Sequence, residues 1–80
     1  MDEVIKIDGV QVTTGSDGMF TIDGYSGKHV FSIIASSYDD YFVIFRPSSV
    51  QGRYICYAYN ASFGKQANKV FNVNIFYVDD

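Results

Sequence analysis

Two side chains of this 80-residue chain could act together as a nucleophile and its base. They are Cys56 and His29, the only cysteine and the only histidine. A cysteine–histidine pair becomes catalytic when the two side chains meet and a third group orients the base. Cys56 lies within an alternating stretch, on the face assigned to the core, where a thiol is usually inert. His29 follows Lys28 at the beginning of a predicted strand, which favours the surface. The sequence therefore predicts no catalytic pair and no enzyme.

The aspartates occur at turns and not in ligand patterns. Asp17 and Asp23 each precede a glycine, and Asp39 and Asp40 are adjacent. Aspartate favours turns because its side chain bonds to its own downstream backbone. The alternating oxygen ligands of a calcium loop are absent, and one histidine with one cysteine cannot build a zinc site. We therefore expect no metal site and no cofactor.

These residues must be positioned by short apolar segments that alternate with turns about ten residues apart, a spacing typical of all-β sandwiches and barrels. The segments are 4–13, 19–22, 29–36, 41–45, 53–60 and 70–78. Asp8-Gly9 interrupts the first one and predicts a hairpin or a bulge there. No segment has helical spacing. The predicted fold is all-β, a small antiparallel β-sandwich of six or seven strands that forms a single domain over residues 1–80.

Alternation also assigns side chains to faces, because successive residues of a strand point to opposite sides. In the segment 53–60, we expect Tyr54, Cys56 and Ala58 to point inward. The segment 29–36 is expected to place Phe31, Ile33 and Ala35 on one face, opposite Val30. The segment 41–45 is apolar throughout, which predicts a strand covered on both sides.

Composition predicts a dense core without a disulfide. Hydrophobic residues make up 48% of the chain, with seven Phe and seven Tyr. The lone cysteine excludes an internal disulfide and fits a reducing compartment. The N-terminus lacks the pattern of a secretory signal, and no apolar run reaches the roughly 20 residues of a membrane span. We expect a cytoplasmic protein, as synthesised, without membrane contact.

Charge is divided unevenly along the chain. The net charge is −3, with −5 in residues 1–40, +4 in residues 41–78 and two aspartates at the end. The simpler interpretation is a set of solvated loop charges. The alternative is a cationic face that meets an anionic partner.

Residues 52–64, read as GRYICYAYNASFG, carry the most specific pattern. The spacing G-x-Y-x-C-x-A-x-N resembles the penultimate strand of immunoglobulin-like domains of the intermediate type, and the resemblance extends over 41–78. It implies that the Tyr54 hydroxyl binds the preceding loop and that Cys56 takes the inward sulfur position. It also implies that 60–64 lead into a hairpin closed by 70–78. The family's tryptophan and partner cysteine are absent, so the resemblance implies a truncated, disulfide-free relative.

A weaker resemblance covers residues 10–43. The segments 13–22 and 27–33 are similar to the repeat of carboxypeptidase-regulatory-like and transthyretin-like modules. Those modules are also small β-sandwiches without catalytic residues of their own. Both resemblances therefore imply the same class of fold.

The outward tyrosines carry the functional hypothesis. Such a stripe could pack within the chain or on a second copy, bind a protein or glycan, or stack nucleic-acid bases. Nucleic acid is not expected, because the whole chain is acidic. The predicted surface is a sheet formed by 53–59 with 70–78. Its candidate partner-binding residues are Arg53, Ile55, Tyr57, Tyr59, Lys65, Lys69 and Phe76.

The predicted function is non-enzymatic binding or a structural role. The immunoglobulin-like resemblance implies a virion-associated accessory role, as decoration or tail component of a bacterial virus. One alternative is a small phage-type inhibitor that binds a host protein. Another is an OB-like, five-stranded barrel that binds single-stranded nucleic acid. Exposed strand edges also predict a homodimer joined edge to edge.

Overall fold

The computed structural model describes residues 4–36 and 40–79, and these form six strands. The strands are β1 (Lys6–Thr13), β2 (Met19–Ile22), β3 (Lys28–Ala35), β4 (Phe42–Pro47), β5 (Tyr54–Tyr59) and β6 (Val70–Asp79). The predicted all-β fold class is confirmed. Asp39, the first residue of the turn predicted at Asp39-Asp40, lies outside the described residues. Within the described ranges, no helix is long and apolar enough to cross a membrane.

The strands form two antiparallel sheets of three, in the orders β1-β6-β3 and β2-β5-β4. The predicted closing hairpin is wrong, because β5 and β6 are the central strands of different sheets. The chain passes from one sheet to the other through residues 60–69. A surface built from 53–59 with 70–78 is therefore also wrong, and the two separate sheets are not a five-stranded barrel.

β1 pairs with β6 without interruption. Asp8 and Gly9 lie opposite Ile75 and Asn74 in continuous register. The predicted hairpin or bulge at this site is therefore wrong.

The bulge occurs in β3 instead. The register of β3 with β6 shifts between Val30 and Ser32. A bulge inserts one unpaired residue and reverses the facing of the residues beyond it. Val30 and Ile33 are therefore both buried in the core, whereas Phe31 is 43% exposed. The prediction that Phe31 shares a face with Ile33 is wrong for this reason.

The core lies between the two sheets and follows the alternation predicted for 53–60. Cys56 and Ala58 are fully buried. The ring of Phe71, from β6, meets the edges of Phe20 at 5.9 Å and Tyr41 at 5.2 Å between ring centroids. Buried residues of the cluster are Val12, Phe20, Ile22, Tyr25, Val30, Ile33, Cys56, Ala58, Phe71, Val73 and Ile75.

Tyr54 links the two sheets across this core. The backbone N–H of Val30 in β3 donates to the Tyr54 hydroxyl oxygen at 3.3 Å. The immunoglobulin-like resemblance implied a bond to the loop before β5. The observed bond instead reaches the opposite sheet.

The two sheets lie closest at the β3 and β4 edges. Between the β1 and β2 edges they leave an open groove of about 480 Å³, lined by residues 10–13 and 19–23. The sandwich therefore has a closed side and an open side, and its two outer sheet faces point in opposite directions.

Candidate functional site

The outer side of the β2-β5-β4 sheet forms a surface that we call the aromatic face. Because Cys56 and Ala58 point inward, Ile55, Tyr57 and Tyr59 point outward along the central strand. The strand registers place residues of β2 and β4 beside them. The aromatic face consists of Met19, Thr21, Phe42, Ile44, Arg46, Ile55, Tyr57 and Tyr59, with Phe63 beside it.

Three rings cluster at one end of this face, where β4 begins and β5 ends. Phe42 and Tyr59 stack with centroids 5.6 Å apart and planes 22° apart. The edge of Phe63 meets Phe42 at 5.6 Å and 80°. Phe63 is 76% exposed, and Ile44 on β4 is 55% exposed. The prediction that 41–45 is covered on both sides is therefore wrong, because β4 is an edge strand with one open face.

A tight loop holds Phe63 in position. The Asn60 side-chain oxygen accepts hydrogen bonds from the backbone N–H groups of Ser62 at 2.9 Å and Gly64 at 2.8 Å. Phe63 has a φ of 64°. This left-handed conformation is uncommon for any residue with a side chain and is an outlier for a bulky one. The loop thus displays a large apolar ring at a conformational cost.

Of the three cations predicted to bind a partner, Arg53 is in an ion pair, and Lys65 and Lys69 are exposed. The Arg53 Nε donates to the Asp23 carboxylate at 2.6 Å, so this charge is already compensated. Lys65 forms a backbone bridge with Tyr59 and is exposed beside the rings. Lys69 is exposed, but its backbone is bound to Thr14 near the β1–β2 turn.

Arg46 is a cation that the sequence prediction missed. It is exposed on β4 opposite Ile55. Phe42, Ile44 and Phe63 were missed as well, because a continuous apolar segment does not reveal which of its faces is open. Of the residues that define the aromatic face, Arg46 is the one cation and none is an acid. Lys65 lies next to Tyr59, and Asp40 lies near the loop 60–62 that precedes Phe63.

Phe76 belongs to a different surface. It lies on the outer side of the β1-β6-β3 sheet, opposite Ile7 and Ser32, and its ring is 6.4 Å from that of Phe31. The prediction that Phe76 joins Tyr57 and Tyr59 is wrong, because β6 and β5 belong to opposite sheets. Lys69 is also displaced, because it lies where β6 begins and is bound to Thr14 at the end of β1. The other predicted partner-binding residues lie on or near the β2-β5-β4 sheet: Arg53, Ile55, Tyr57, Tyr59 and Lys65.

This second surface we call the uncharged face. The registers place on it Ile7, Gly9, Gln11, His29, Phe31, Ser32, Ile34, Asn72, Asn74, Phe76 and Val78. It contains no Asp, Glu, Lys or Arg. Asn72 and Asn74 were predicted to share a face, and the apolar residues around them were not recognised as their neighbours.

The charged residues of the same three strands project from the other side of this sheet. Lys28 and Lys6 both bind the Asp79 carboxylate, with the Lys28 ammonium at 2.7 Å. Their hydrogen bonds lower the pKa of Asp79 to about 2. Asp8 accepts a hydrogen bond from the Tyr25 hydroxyl at 2.8 Å. Burial, together with this carboxylate, raises the pKa of Tyr25.

Cys56 and His29 are not brought together. Cys56 lies between the sheets, where burial raises the pKa of its thiol to about 12. His29 is exposed on β3, opposite Val78. Among residues 4–36 and 40–79, no group of three or more His, Cys, Asp or Glu side chains is placed to hold a metal ion.

Known protein families, characterised proteins and solved structures give no match to this chain. A function is therefore inferred from the geometry of the two outer faces. The aromatic face has a cluster of aromatic rings with an arginine farther along β4 and no acid, and the uncharged face has apolar side chains among amides and hydroxyls.

Proposed function

We propose that this protein is a binding module that catalyses no reaction and that docks on a protein partner through the aromatic face. The supporting observation is the cluster of Phe63, Phe42 and Tyr59, in which Phe63 is exposed and the other two rings are half-buried. A few aromatic and arginine side chains supply most of the binding energy in protein interfaces. The aromatic face carries this cluster at one end and Arg46 toward the other end of β4, so it has that composition.

The strained backbone of Phe63 supports the same proposal. Conformations of this kind cost of order 1–3 kcal/mol and tend to occur where a binding or switching role requires them. Glycine or asparagine would adopt a φ of 64° more readily than phenylalanine does. A partner pocket that receives the ring would compensate for this cost.

The charges define the chemistry of the partner. Lys65 lies beside Tyr59, Arg46 lies four residues from Phe42 along β4, and the residues of the aromatic face include no acid. Charges at the rim of an interface select partners and accelerate association more than they add affinity. The partner surface is accordingly an apolar pocket large enough for a phenyl ring, with acidic residues around it.

Two biological settings fit the proposed module. The immunoglobulin-like resemblance supports the virion-associated setting, and inhibition of a host protein is the alternative. Genomic neighbours distinguish them, because capsid or tail genes indicate the first and early viral genes indicate the second.

A matched pair of substitutions tests the proposal. Ile44 and Ile34 are 55% and 52% exposed, each on an edge strand and each on one of the two outer faces. Immobilised wild type, Ile44→Glu and Ile34→Glu are incubated with lysate of the source cells, and candidate partners are then purified for direct affinity measurement. We expect a protein bound by wild type and Ile34→Glu, with at least about tenfold weaker binding to Ile44→Glu, since about 1.4 kcal/mol is tenfold in affinity.

Phe63→Gly is the second variant, because glycine relieves the backbone strain while it removes the ring. It should fold at least as well as wild type and still lose the partner. Partners that bind all variants equally would contradict the proposal. Salt-sensitive binding of a labelled oligothymidine, weakened in Ile44→Glu, would instead identify a nucleic-acid platform.

A further inference from the structure

The β1-β6-β3 sheet carries its acids, lysines and arginines on one side alone, and the uncharged face is its other side. Strands β1, β3 and β6 carry Lys6, Asp8, Lys28 and Asp79, and all four project from the side that faces the other sheet. The outward side carries no acid, lysine or arginine; His29 lies toward one end of it, opposite Val78, and counts as neutral at pH 7. Depletion of charge is what distinguishes the core of a protein interface from ordinary surface. About 25% of the residues of a typical soluble domain are charged.

The apolar residues of this face are open to solvent. Ile7, Phe31 and Ile34 are exposed, and they surround Phe76 on the central strand. Exposed apolar clusters rimmed by polar residues mark interaction sites. The described residues of the chain leave this cluster uncovered.

From this face we infer a symmetric homodimer, formed when the uncharged face packs on the same face of a second copy. A twofold interface brings each surface against itself, so any charge near the axis would meet its own sign. A face without charges avoids that repulsion. Its polar residues, Gln11, Ser32, Asn72 and Asn74, each offer both a donor and an acceptor, so they can pair with themselves.

The size of the face determines the strength of the dimer. Three strands about 4.8 Å apart, with about eight residues at about 3.3 Å each, cover roughly 14 by 26 Å. This is smaller than the about 800 Å² per partner of a standard interface. We therefore expect a dissociation constant in the micromolar range or weaker, and association that depends on concentration.

The inferred geometry differs from the edge-to-edge dimer predicted from the sequence. In that arrangement the strand edges would join, and Ile34 would stay in solvent. The bulge in β3 makes that edge a poor template, since bulges disrupt pairing along an edge. Substitution of Ile34 therefore separates the two geometries.

Sedimentation velocity between about 10 µM and about 1 mM spans the relevant range of affinity. The mass of wild type should rise from 9.0 kDa toward twice that value as concentration increases. Ile44→Glu, on the aromatic face, should behave as wild type. Ile34→Glu should remain monomeric, with association weakened at least about tenfold. Salt should not weaken the dimer, because no ion pair holds it.

Asn74 provides a test that does not depend on Ile34. It lies on the central strand opposite Gly9 and Ile34, near the middle of the face. Asn74→Asp and Asn74→Lys should each weaken self-association through like-charge repulsion. An equimolar mixture of the two should restore it, because only the mixed dimer pairs opposite charges.

Three outcomes would overturn the inference. They are a monomer at every concentration, a dimer unaffected by Ile34→Glu, and no recovery in the Asn74 mixture. None of them bears on the aromatic face, because the proposed function is tested separately by Ile44→Glu and Phe63→Gly.

Discussion

Thr14 shows how one buried hydroxyl holds the chain where it passes between the sheets. It is 3% exposed. Its hydroxyl donates to the Gln66 carbonyl oxygen at 2.5 Å and accepts from the Lys69 N–H at 2.8 Å. Both partners lie in the segment that connects β5 to β6. The hydroxyl therefore fixes this connection against the end of β1.

Replacement of Thr14 by Val keeps the shape and removes both bonds. We expect a loss of about 1–3 kcal/mol, because a backbone acceptor and a backbone donor, both in part-buried hydrogen bonds, are left unpaired. In a domain of this size each kcal/mol lowers the melting temperature by about 4–8 °C. Thr13→Val, at the exposed neighbouring position, is the control and should change stability by less than about 0.5 kcal/mol. Equal melting temperatures for the two variants would show that the Thr14 bonds do not hold the connection.

At the scale of elements, β6 organises its sheet by binding both of its neighbours. Its residue Asp79 is bound by Lys6 of β1 and Lys28 of β3, so one carboxylate joins the ends of three strands. The hydrogen bond from Lys28, then that from Lys6, lowers the pKa of Asp79 to about 2. Asp79 also raises the pKa of Lys28.

The pKa of Asp79 predicts a pH dependence. Its folded value is below the unfolded value of about 3.9, so its contribution to stability is present above pH about 4. The contribution is lost as pH falls through about 2, where the folded carboxylate gains its proton. Asp79→Asn should therefore melt at a lower temperature than wild type at pH 7, and the difference should vanish toward pH 2.

Thermal denaturation followed by circular dichroism at several pH values measures this difference. It should be small, because the three side chains are solvent-exposed, and high salt should reduce it further. A difference that stays constant across this pH range would contradict the role of the Asp79 carboxylate.

The strands β3 and β5 and the loop that holds Phe63 show what the local sequence could and could not predict. The burial of Cys56 and Ala58 was predicted because a regular strand has a strict period of two. The facing of Phe31 was not predicted, because the bulge beside it depends on the pairing of β3 with β6. The conformation of Phe63 depends on side-chain bonds from Asn60, which alternation does not reveal.

At the scale of the whole molecule, the two outer faces point away from each other. A dimer through the uncharged face would stack four sheets and leave an aromatic face on each outer side. Such an assembly would present two partner-binding surfaces in opposite directions. The dimer would then bind two copies of the partner at once, one through each aromatic face, without any further contact within the dimer.

The inferred dimer predicts that stability depends on protein concentration. Association of folded copies stabilises the native state by mass action. The melting temperature of wild type and of Ile44→Glu should rise with concentration over the range in which the dimer forms. That of Ile34→Glu should be constant, and a parallel rise in all three proteins would contradict an interface at the uncharged face.

The sequence by itself determined that the chain is all-β, where most strands lie and which side of β5 is buried. These properties are local, since they follow from alternation and from turn residues within a few positions. Only the tertiary structure decided which strands share a sheet, because pairing joins residues that are distant along the chain. That pairing separated Phe76 from Tyr57, gathered Phe42, Ile44 and Phe63 beside Tyr59, and placed all charges of the β1-β6-β3 strands on one side.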